Sequence, residues 1–174
     1  MTVRPAEPGD AVAIARIYNR IVRDTLVTFT TVEKTTEAIA AEIAERAGRY
    51  FVAEAGSTVA GLAYFGAFRS GPGYAHTAEL TIYLDPAAQG RGLGRALMQR
   101  LEEAAVAAGI RVLVAGISGA NPDAQAFHAA LGFTEAGRLP EAGYKHGQWL
   151  DLVLMQKNLA AMRESGTDSR GKDA

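Results

Sequence analysis

Hydrophobic positions in the first part of this chain recur at the spacing of one helix face. Between residues 8 and 24 the apolar positions are Val12, Ile14, Ile17, Tyr18, Ile21 and Val22. This stripe predicts an amphipathic helix with Asp10 as its N-cap. The stretch TTEAIAAEIAERAG continues the pattern. It predicts a second helix that begins at Thr35 or Thr36 and stops at Gly48.

Strand-like runs follow the two helices. YFVAEA and TVAGLAYFGAF flank Gly56 and Ser57, which is typical of a hairpin, and HTAELTIYL is a third run. Along that third run Leu80, Ile82 and Leu84 share one face. The other face carries Thr77, Glu79, Thr81 and Tyr83. A carboxylate in the middle of a strand is unusual, so Glu79 is a candidate functional residue.

The second half of the chain alternates helices and strands. GLGRALMQRLEEAAVAAG predicts a helix, and IRVLVAGI predicts a buried strand. The apolar stripe of that helix is Leu93, Leu97, Leu101 and Ala104 or Ala105. NPDAQAFHAALG predicts another helix, with Asn121 as N-cap and Pro122 in its first turn. With TVRP at the start and FTEAGRL and WLDLVLMQ at the end, the pattern predicts an α/β fold. Its mixed sheet has about seven strands and about four helices.

Composition limits the number of domains and the location. At 174 residues and 48% hydrophobic content the chain can bury one sizeable core. We expect one domain over residues 1–158 and a disordered tail over the polar, Gly- and Ser-containing residues 159–174. The N-terminus is polar, and no apolar run approaches the roughly 20 residues that a membrane span requires. We therefore expect a soluble, cytoplasmic protein with no membrane partner.

Charge and residue types exclude several classes of function. With 18 Lys and Arg against 19 Asp and Glu, the chain offers no broad positive field for nucleic acid. The absence of Cys excludes a disulfide framework, a thiolate metal site and an acetyl-cysteine intermediate. The three His form no HExxH pair, and no GxSxG elbow occurs. No metal is expected.

A glycine-rich loop at residues 89–94 precedes the third predicted helix. Backbone N–H groups at a helix N-terminus favour an anion, and glycines let the backbone approach it closely, so a diphosphate is the natural ligand. The sequence has Gly-Arg-Ala where a P-loop needs Gly-Lys-Ser/Thr, and GxGxG where a dinucleotide-binding loop has GxGxxG. The alternative is a flexible turn with two solvated arginines.

Several motifs in register resemble the GNAT superfamily of N-acetyltransferases. They are the Gln89-x-x-Gly92-x-Gly94 loop, ELTIYLDP before it and NPDAQAFHAALGF after it, and the resemblance extends from Arg4 to Gln156. It implies the GNAT fold and acetyl-CoA as co-substrate, with loop amides on the pyrophosphate and strand backbone on the pantetheine and thioester. The cofactor-binding residues that it implies are Ile82, Tyr83, Leu84, Gln89, Gly90, Arg91, Gly92, Leu93, Gly94, Arg95, Asn121 and His128.

Two further segments, FRSGPGYAHTAELTIYL and LPEAGYKHGQWLDLVLMQ, are similar to the phosphinothricin and methionine sulfoximine N-acetyltransferase branch. This resemblance implies a small amino-acid substrate and a homodimer with sites near the interface. The substrate-binding residues that it implies are Phe29, Arg69, Ser70, Tyr74, Thr77, Glu79, Thr81 and Lys145. Gly71 departs from the branch, which has a second arginine there, and this departure bears on anion recognition.

The chemistry of acetyl transfer assigns roles to residues within this resemblance. An α-amino group must lose a proton before it attacks, and Glu79 is the candidate base, acting through a water. Partial burial would raise its pKa toward neutrality, whereas the alternative is a solvent-facing glutamate. A backbone N–H at residues 82–84 can stabilise the negative charge that develops on the thioester oxygen.

His128 and the turn before Glu79 leave alternatives open. His128 stands where relatives carry a proton donor to the CoA thiolate, so it either donates that proton, bonds the sulfur or is a half-buried helix histidine. Asn121 contacts the pantetheine or only caps its helix. Arg69 can bind a substrate carboxylate, but a solvated loop end also explains it.

The leading hypothesis is an acetyl-CoA-dependent N-acetyltransferase that acts on the α-amino group of a small amino acid or analogue by direct attack in a ternary complex. One alternative is acetylation of a protein N-terminus or lysine, which would need an open peptide groove. The other is a non-catalytic CoA-binding sensor, which would keep the glycine loop and could dispense with Glu79.

Overall fold

The backbone of the computed structural model, which describes residues 2–160 and 162, follows the predicted order of elements. The strands and helices are β1 (Thr2–Pro5), α1 (Ala11–Asp24), α2 (Thr36–Glu45), β2 (Tyr50–Ala55), β3 (Thr58–Ala67), β4 (Thr77–Leu84), α3 (Leu93–Ala107), β5 (Val112–Ser118), α4 (Pro122–Ala130), β6 (Thr134–Lys145) and β7 (Gln148–Asn158). The predicted α/β fold with one mixed sheet is therefore confirmed.

The sheet changes direction at one pair of strands. Its order is β1-β2-β3-β4-β5-β7-β6. All neighbours are antiparallel except β4 and β5, which are parallel and pair only from Thr77↔Val112 to Leu80↔Ala115. Beyond these pairs β4 continues to Leu84 and β5 to Ser118 without pairing to each other. A wedge-shaped gap therefore opens in the middle of the sheet.

Helices cover both faces of the sheet. The predicted stripe of α3 is buried against one face, with Leu93, Leu97 and Leu101 at most 2% exposed. Helices α1 and α2 pack on the other face through a second apolar cluster that includes Ile14 and Ile39. Alternation along β4 agrees with this arrangement, because Leu80 belongs to the first cluster and Tyr83 packs against the second. The gap between β4 and β5 is therefore in a sheet that has α3 on one face and α1 and α2 on the other.

Two details at the start of α1 differ from expectation. Val12 is 69% exposed, because it lies two residues before the buried Ile14 and so about 200° around the helix from it. Asp10 makes no capping bond to α1. Its carboxylate instead accepts two hydrogen bonds of 2.8 Å from the Arg4 guanidinium. At α2 the predicted start is confirmed, because Thr35 caps the helix by accepting from the Ala38 N–H at 3.1 Å.

The end of β7 continues into the core. Leu159 is fully buried, and its N–H donates to the carbonyl of Arg111 at 2.8 Å. The packed chain therefore extends at least one residue past the expected boundary at 158. Residues 161 and 163–174 of the expected tail lie outside the described residues. Within the part of the chain that is described, no helix combines the length and the apolarity needed to cross a membrane.

Candidate active site

A cavity of about 870 Å³ fills the gap where β4 and β5 separate. Its walls come from the end of β4, the loop at residues 86–95, the start of α3, the end of β5 and helix α4. The loop between α1 and α2, at residues 25–30, closes the remaining side. Most of the sequence-predicted site residues meet here. These are Phe29, Glu79, Thr81, Ile82, Tyr83, Leu84, Gln89, Gly90, Gly92, Leu93, Gly94, Arg95, Asn121 and His128.

The glycine loop presents an open backbone surface to this cavity. Gly90 and Gly92 have φ of 73° and 78°, and an added Cβ at either would meet nothing within 4 Å. Helix α3 begins at Leu93 with no side chain capping it. The N–H groups of its first turn therefore have no acceptor within the helix and favour a negative charge in the cavity. Arg95 adds a cation to the lining, whereas Arg91 is exposed outside it.

The third glycine of the loop has a packing role. A Cβ on Gly94 would lie 3.1 Å from the Phe127 ring and 3.3 Å from the side chain of Leu84. Glycine at this position therefore lets α3 approach α4 and β4 closely. This close approach lies at the end of the cavity that the glycine loop forms.

The end of β4 leaves backbone groups available. Ile82 and Leu84 pair with Ala63 and Gly61 of β3, but residues 81–84 have no strand partner on the β5 side. Donors and acceptors that point into the gap are therefore free to bind a ligand that lies along the strand.

Glu79 is held near the point where β4 and β5 separate. No hydrogen bond or ion pair to another of residues 2–160 or 162 engages its carboxylate. Glu79 is exposed to solvent in the cavity, but partial desolvation by the protein around it still raises the pKa of its carboxyl, and the Arg69 guanidinium opposes this by lowering it. A carboxylate in this state is available to accept a proton from a bound molecule.

Gly116 on β5 makes room for that carboxylate, and it is not among the sequence-predicted site residues. A Cβ at this position would lie 3.2 Å from Glu79 Oε1 and 3.4 Å from Leu152 Cδ1. The available signal was a lone glycine inside an apolar strand, which often marks a close approach of another group.

Five predicted substrate residues lie outside the cavity lining, and four of them are on or next to the turn between β3 and β4. Arg69, Ser70 and Tyr74 are exposed on the turn between β3 and β4. Thr77 is the first residue of β4, where the strand still pairs with Val112 of β5. On the same turn Gly71 has a φ of 108°, a conformation that an arginine would adopt only with strain. The cation of this turn that acts on the site is therefore Arg69, through its charge on Glu79.

Lys145 also lies outside the cavity lining, but it contacts one wall. Its side chain is 1% exposed, and Nζ donates a 2.8 Å hydrogen bond to the carbonyl of Thr28. Two residues earlier on β6, Gly143 lies beneath the ring of Phe29, where a Cβ would overlap that ring. Both residues of β6 thus support the α1–α2 loop.

His128 and Asn121 face the cavity from α4. His128 Nδ1 is 2.8 Å from the carbonyl of Ala124, which can only accept, so Nδ1 carries the proton of the neutral ring. Nε2 is then unprotonated, and it is buried without a partner in the described chain. Burial also lowers the pKa of His128, against a smaller raising effect of the Ala124 carbonyl. Asn121 caps α4 as predicted, since Oδ1 accepts from the Ala124 N–H at 3.2 Å.

Residues 2–160 and 162 contain no group of three His, Asp or Glu side chains that could hold a metal ion. The groups that the cavity offers to a ligand include a carboxylate, a helix N-terminus and free strand backbone.

Comparison with known proteins agrees with this geometry. Residues 14–133 match the acetyltransferase (GNAT) family. The chain is 40% identical over 162 residues to an L-methionine sulfoximine/L-methionine sulfone acetyltransferase from Salmonella typhimurium, covering 91% of this chain and 95% of that protein. It is 35% identical over 158 residues to a phosphinothricin N-acetyltransferase from Streptomyces viridochromogenes, covering 90% and 86%.

Solved structures agree as well. An acetyltransferase from Salmonella typhimurium, solved with its cofactor acetyl-CoA, has a TM-score of 0.88 at 40% identity and covers 91% of this chain and 94% of its own. The split sheet, the open glycine loop and these similarities lead to one conclusion. This chain belongs to the GNAT family of acetyltransferases and is an acyltransferase enzyme.

Proposed function

We propose that this enzyme transfers the acetyl group of acetyl-CoA to the α-amino group of a small amino acid or analogue of the methionine sulfoximine, methionine sulfone or phosphinothricin type. The observation that carries the proposal is the shared cavity, into which the Glu79 carboxylate and the open glycine loop both project. The names of the relatives support the acceptor class.

Acetyl-CoA fits the residues of the cavity. The loop at residues 89–95 offers backbone N–H groups and the Arg95 guanidinium to the pyrophosphate. The unpaired side of β4 at residues 82–84 offers backbone donors and acceptors to the pantetheine arm, and Asn121 lies across the gap from it. Acetyl-CoA supplies the acetyl group as a thioester, whose C–S bond breaks as the new N–C bond forms.

Glu79 acts on the acceptor. Its carboxylate takes a proton from the ammonium group, directly or through a water, and leaves an amine with a free electron pair. A backbone N–H from the end of β4 donates to the thioester oxygen as negative charge develops on it. The nitrogen has a second proton to lose after attack, and that proton leaves with the departing sulfur as CoA thiol. The proton balance therefore closes without a further side chain.

His128 remains a prediction as the proton donor to sulfur. Its neutral ring carries the proton on Nδ1, where the Ala124 carbonyl holds it, so Nε2 has none to give. In this tautomer the sulfur receives the nitrogen's proton through a water, and donation by His128 would first require protonation of Nε2.

The acceptor end of the cavity favours an uncharged side chain. Val27, Phe29 and Leu152 provide apolar walls. Arg69 lies outside the lining and acts on this end only through its charge on Glu79. Because Gly71 stands two residues after Arg69, this turn offers no second guanidinium to an anionic head. Methionine sulfone and methionine sulfoximine have uncharged heads, so we expect both to exceed phosphinothricin in kcat/KM.

A homodimer is part of the proposal. Tyr144 and Trp149 face each other across β6 and β7 with ring centroids 4.8 Å apart, and they are 56% and 64% exposed. β6 is an edge strand of the sheet. A large exposed aromatic pair beside an open sheet edge suits contact with a second copy of this chain.

The experiment that tests this function is CoA thiol release from acetyl-CoA across L-amino acids, methionine sulfone, methionine sulfoximine, phosphinothricin and short peptides. The α-hydroxy analogue of methionine, which has no amine, is the control. Mass spectrometry of the product locates the acetyl group, and we expect it on the α-nitrogen of the free amino acid. Turnover of peptides alone would make the enzyme a protein acetyltransferase, and binding of acetyl-CoA with no turnover would make it a sensor.

A further inference from the structure

The loop between α1 and α2 forms the acceptor wall although it has no regular secondary structure. Residues 27–30 line the cavity. The far end of the loop is tied to α1 by Asn19, whose side chain donates to the Lys34 carbonyl at 2.8 Å and accepts from the Lys34 N–H at 2.9 Å. These bonds lie at the base of the loop, so they do not fix its middle.

The middle of the loop contacts two strands, β4, where the Thr28 and Tyr83 side chains are hydrogen-bonded, and β6. Lys145 Nζ donates to the Thr28 carbonyl at 2.8 Å, and the next residue of the loop, Phe29, lies over the backbone of Gly143. Gly143 and Lys145 are two positions apart, so they lie on the same face of β6, and both are buried. Tyr144, on the other face, is exposed.

Burying the Lys145 ammonium group in this contact costs hydration free energy. The ammonium group is buried, and its one hydrogen bond among residues 2–160 and 162 goes to a neutral carbonyl, with no carboxylate partner. Burial accordingly lowers the pKa of Lys145. An apolar side chain of similar length would avoid the loss of hydration, so stability alone does not account for a lysine here.

We propose that Lys145 and Gly143 are positioning residues that set the affinity for the acceptor by fixing Thr28 and Phe29 against it, without touching it themselves. The inference rests on the proposed function in one respect, which is that the amino acid occupies the end of the cavity between Glu79 and this loop. Acetyl-CoA, at the other end, does not depend on the contact.

The first test replaces Lys145 by methionine, which keeps its length and removes its charge and hydrogen bond. Lys145→Met should raise KM for the acceptor about tenfold, the equivalent of one lost charged hydrogen bond, and change KM for acetyl-CoA by less than about twofold. Its thermal midpoint should stay level or rise, because a buried unpaired charge has been removed.

Lys157→Met is the matched control on the same hairpin. Lys157 Nζ bonds Glu102 of α3 at 2.6 Å, away from the loop. This variant should lose stability, because it leaves the buried Glu102 without its partner, and keep the wild-type KM for the acceptor. Equal KM values for wild type and Lys145→Met would overturn the proposal.

The second test uses two glycines of one strand. Gly143→Ala places a Cβ in the ring of Phe29, whereas Gly137→Ala meets nothing within 4 Å. Only the first should raise KM for the acceptor. In a Phe29→Ala background Gly143→Ala should add no further loss, since the two residues act through one contact. Additive effects would contradict the proposal.

A measurement without an acceptor separates this inference from the proposed function. Hydrogen exchange over residues 26–33 should be faster in Lys145→Met than in wild type and unchanged in Lys157→Met. Unchanged exchange in both variants would overturn the role of Lys145 even if every amino acid reacts. Faster exchange would support it even if the acceptor proves to be a peptide.

Discussion

Glu79 can serve as a base because its neighbours leave it unpaired and partly desolvated. Gly116, on β5 just past the last residue that pairs with β4, provides the space, and a Cβ there would lie 3.2 Å from Oε1. The two residues belong to different parts of the chain and meet only because β4 and β5 run parallel at this point.

Gly116→Ala should lower kcat by about tenfold, because the carboxylate must shift by a few tenths of an ångström and catalysis is sensitive to such displacements. The measurement is steady-state kinetics with the fastest acceptor. Gly137→Ala, whose new methyl group meets nothing, is the control. An unchanged kcat in Gly116→Ala would show that the position of Glu79 is not limiting.

His128→Phe should reduce kcat far less than the roughly hundredfold expected when a general acid is lost. The reason is that Nε2 of the neutral ring has no proton to donate. His128→Gln, which keeps a polar group, separates the effect of packing from that of proton transfer. A hundredfold loss in both variants, with wild-type thermal midpoints, would restore the general-acid role.

At the scale of elements, local signals predicted the order and type of the elements, although the N-cap at Asp10 and the buried position of Val12 were wrong. The period-two alternation of β4 gave its two faces, and Asn121 with Pro122 gave the start of α4. Such signals depend on residues close in sequence, which share one element. The site depends on contacts between elements, and these had no local signature. Lys145 and Thr28, for example, are 117 positions apart.

Sequence neighbours of Glu79 were a poor guide to the cavity. Tyr74 and Arg69 precede it closely, but a 3₁₀ turn at Pro72–Tyr74 keeps them at the exposed end of β4. Of the cofactor-binding loop and strand residues that the resemblance implied, all except Arg91 line the cavity. The resemblance could not reveal that β4 and β5 cease to pair after Leu80, because that depends on the whole sheet.

Asn121 tests whether an element terminus also binds the cofactor. Asn121→Ala should lower the free energy of unfolding by about 1 kcal/mol through loss of the cap and raise KM for acetyl-CoA. Asn121→Ser should restore the stability, because serine also caps, but not the KM. Chemical denaturation and kinetics measure the two effects. If Asn121→Ser restored both the free energy of unfolding and the KM for acetyl-CoA, Asn121 would act only as a helix cap.

At the scale of the whole molecule, the exposed pair Tyr144 and Trp149 predicts self-association. Light scattering should give a dimer for wild type and a monomer for Trp149→Glu, because a buried charge without a partner opposes an apolar interface. Val12→Glu, at an exposed position on α1, is the control and should remain dimeric. A monomeric wild type at micromolar concentration would contradict the proposed assembly.

The most direct test of the account is the pH dependence of kcat/KM for wild type and Glu79→Gln with the fastest acceptor. A base must be ionised, so activity should fall as the pH drops through the pKa of Glu79, which burial raises above the usual value of about 4.3. Glu79→Gln should lower the rate about a hundredfold and lose this acid limb, leaving the titration of the acceptor amine. A Glu79→Gln enzyme with the wild-type rate and the same acid limb would contradict the central claim.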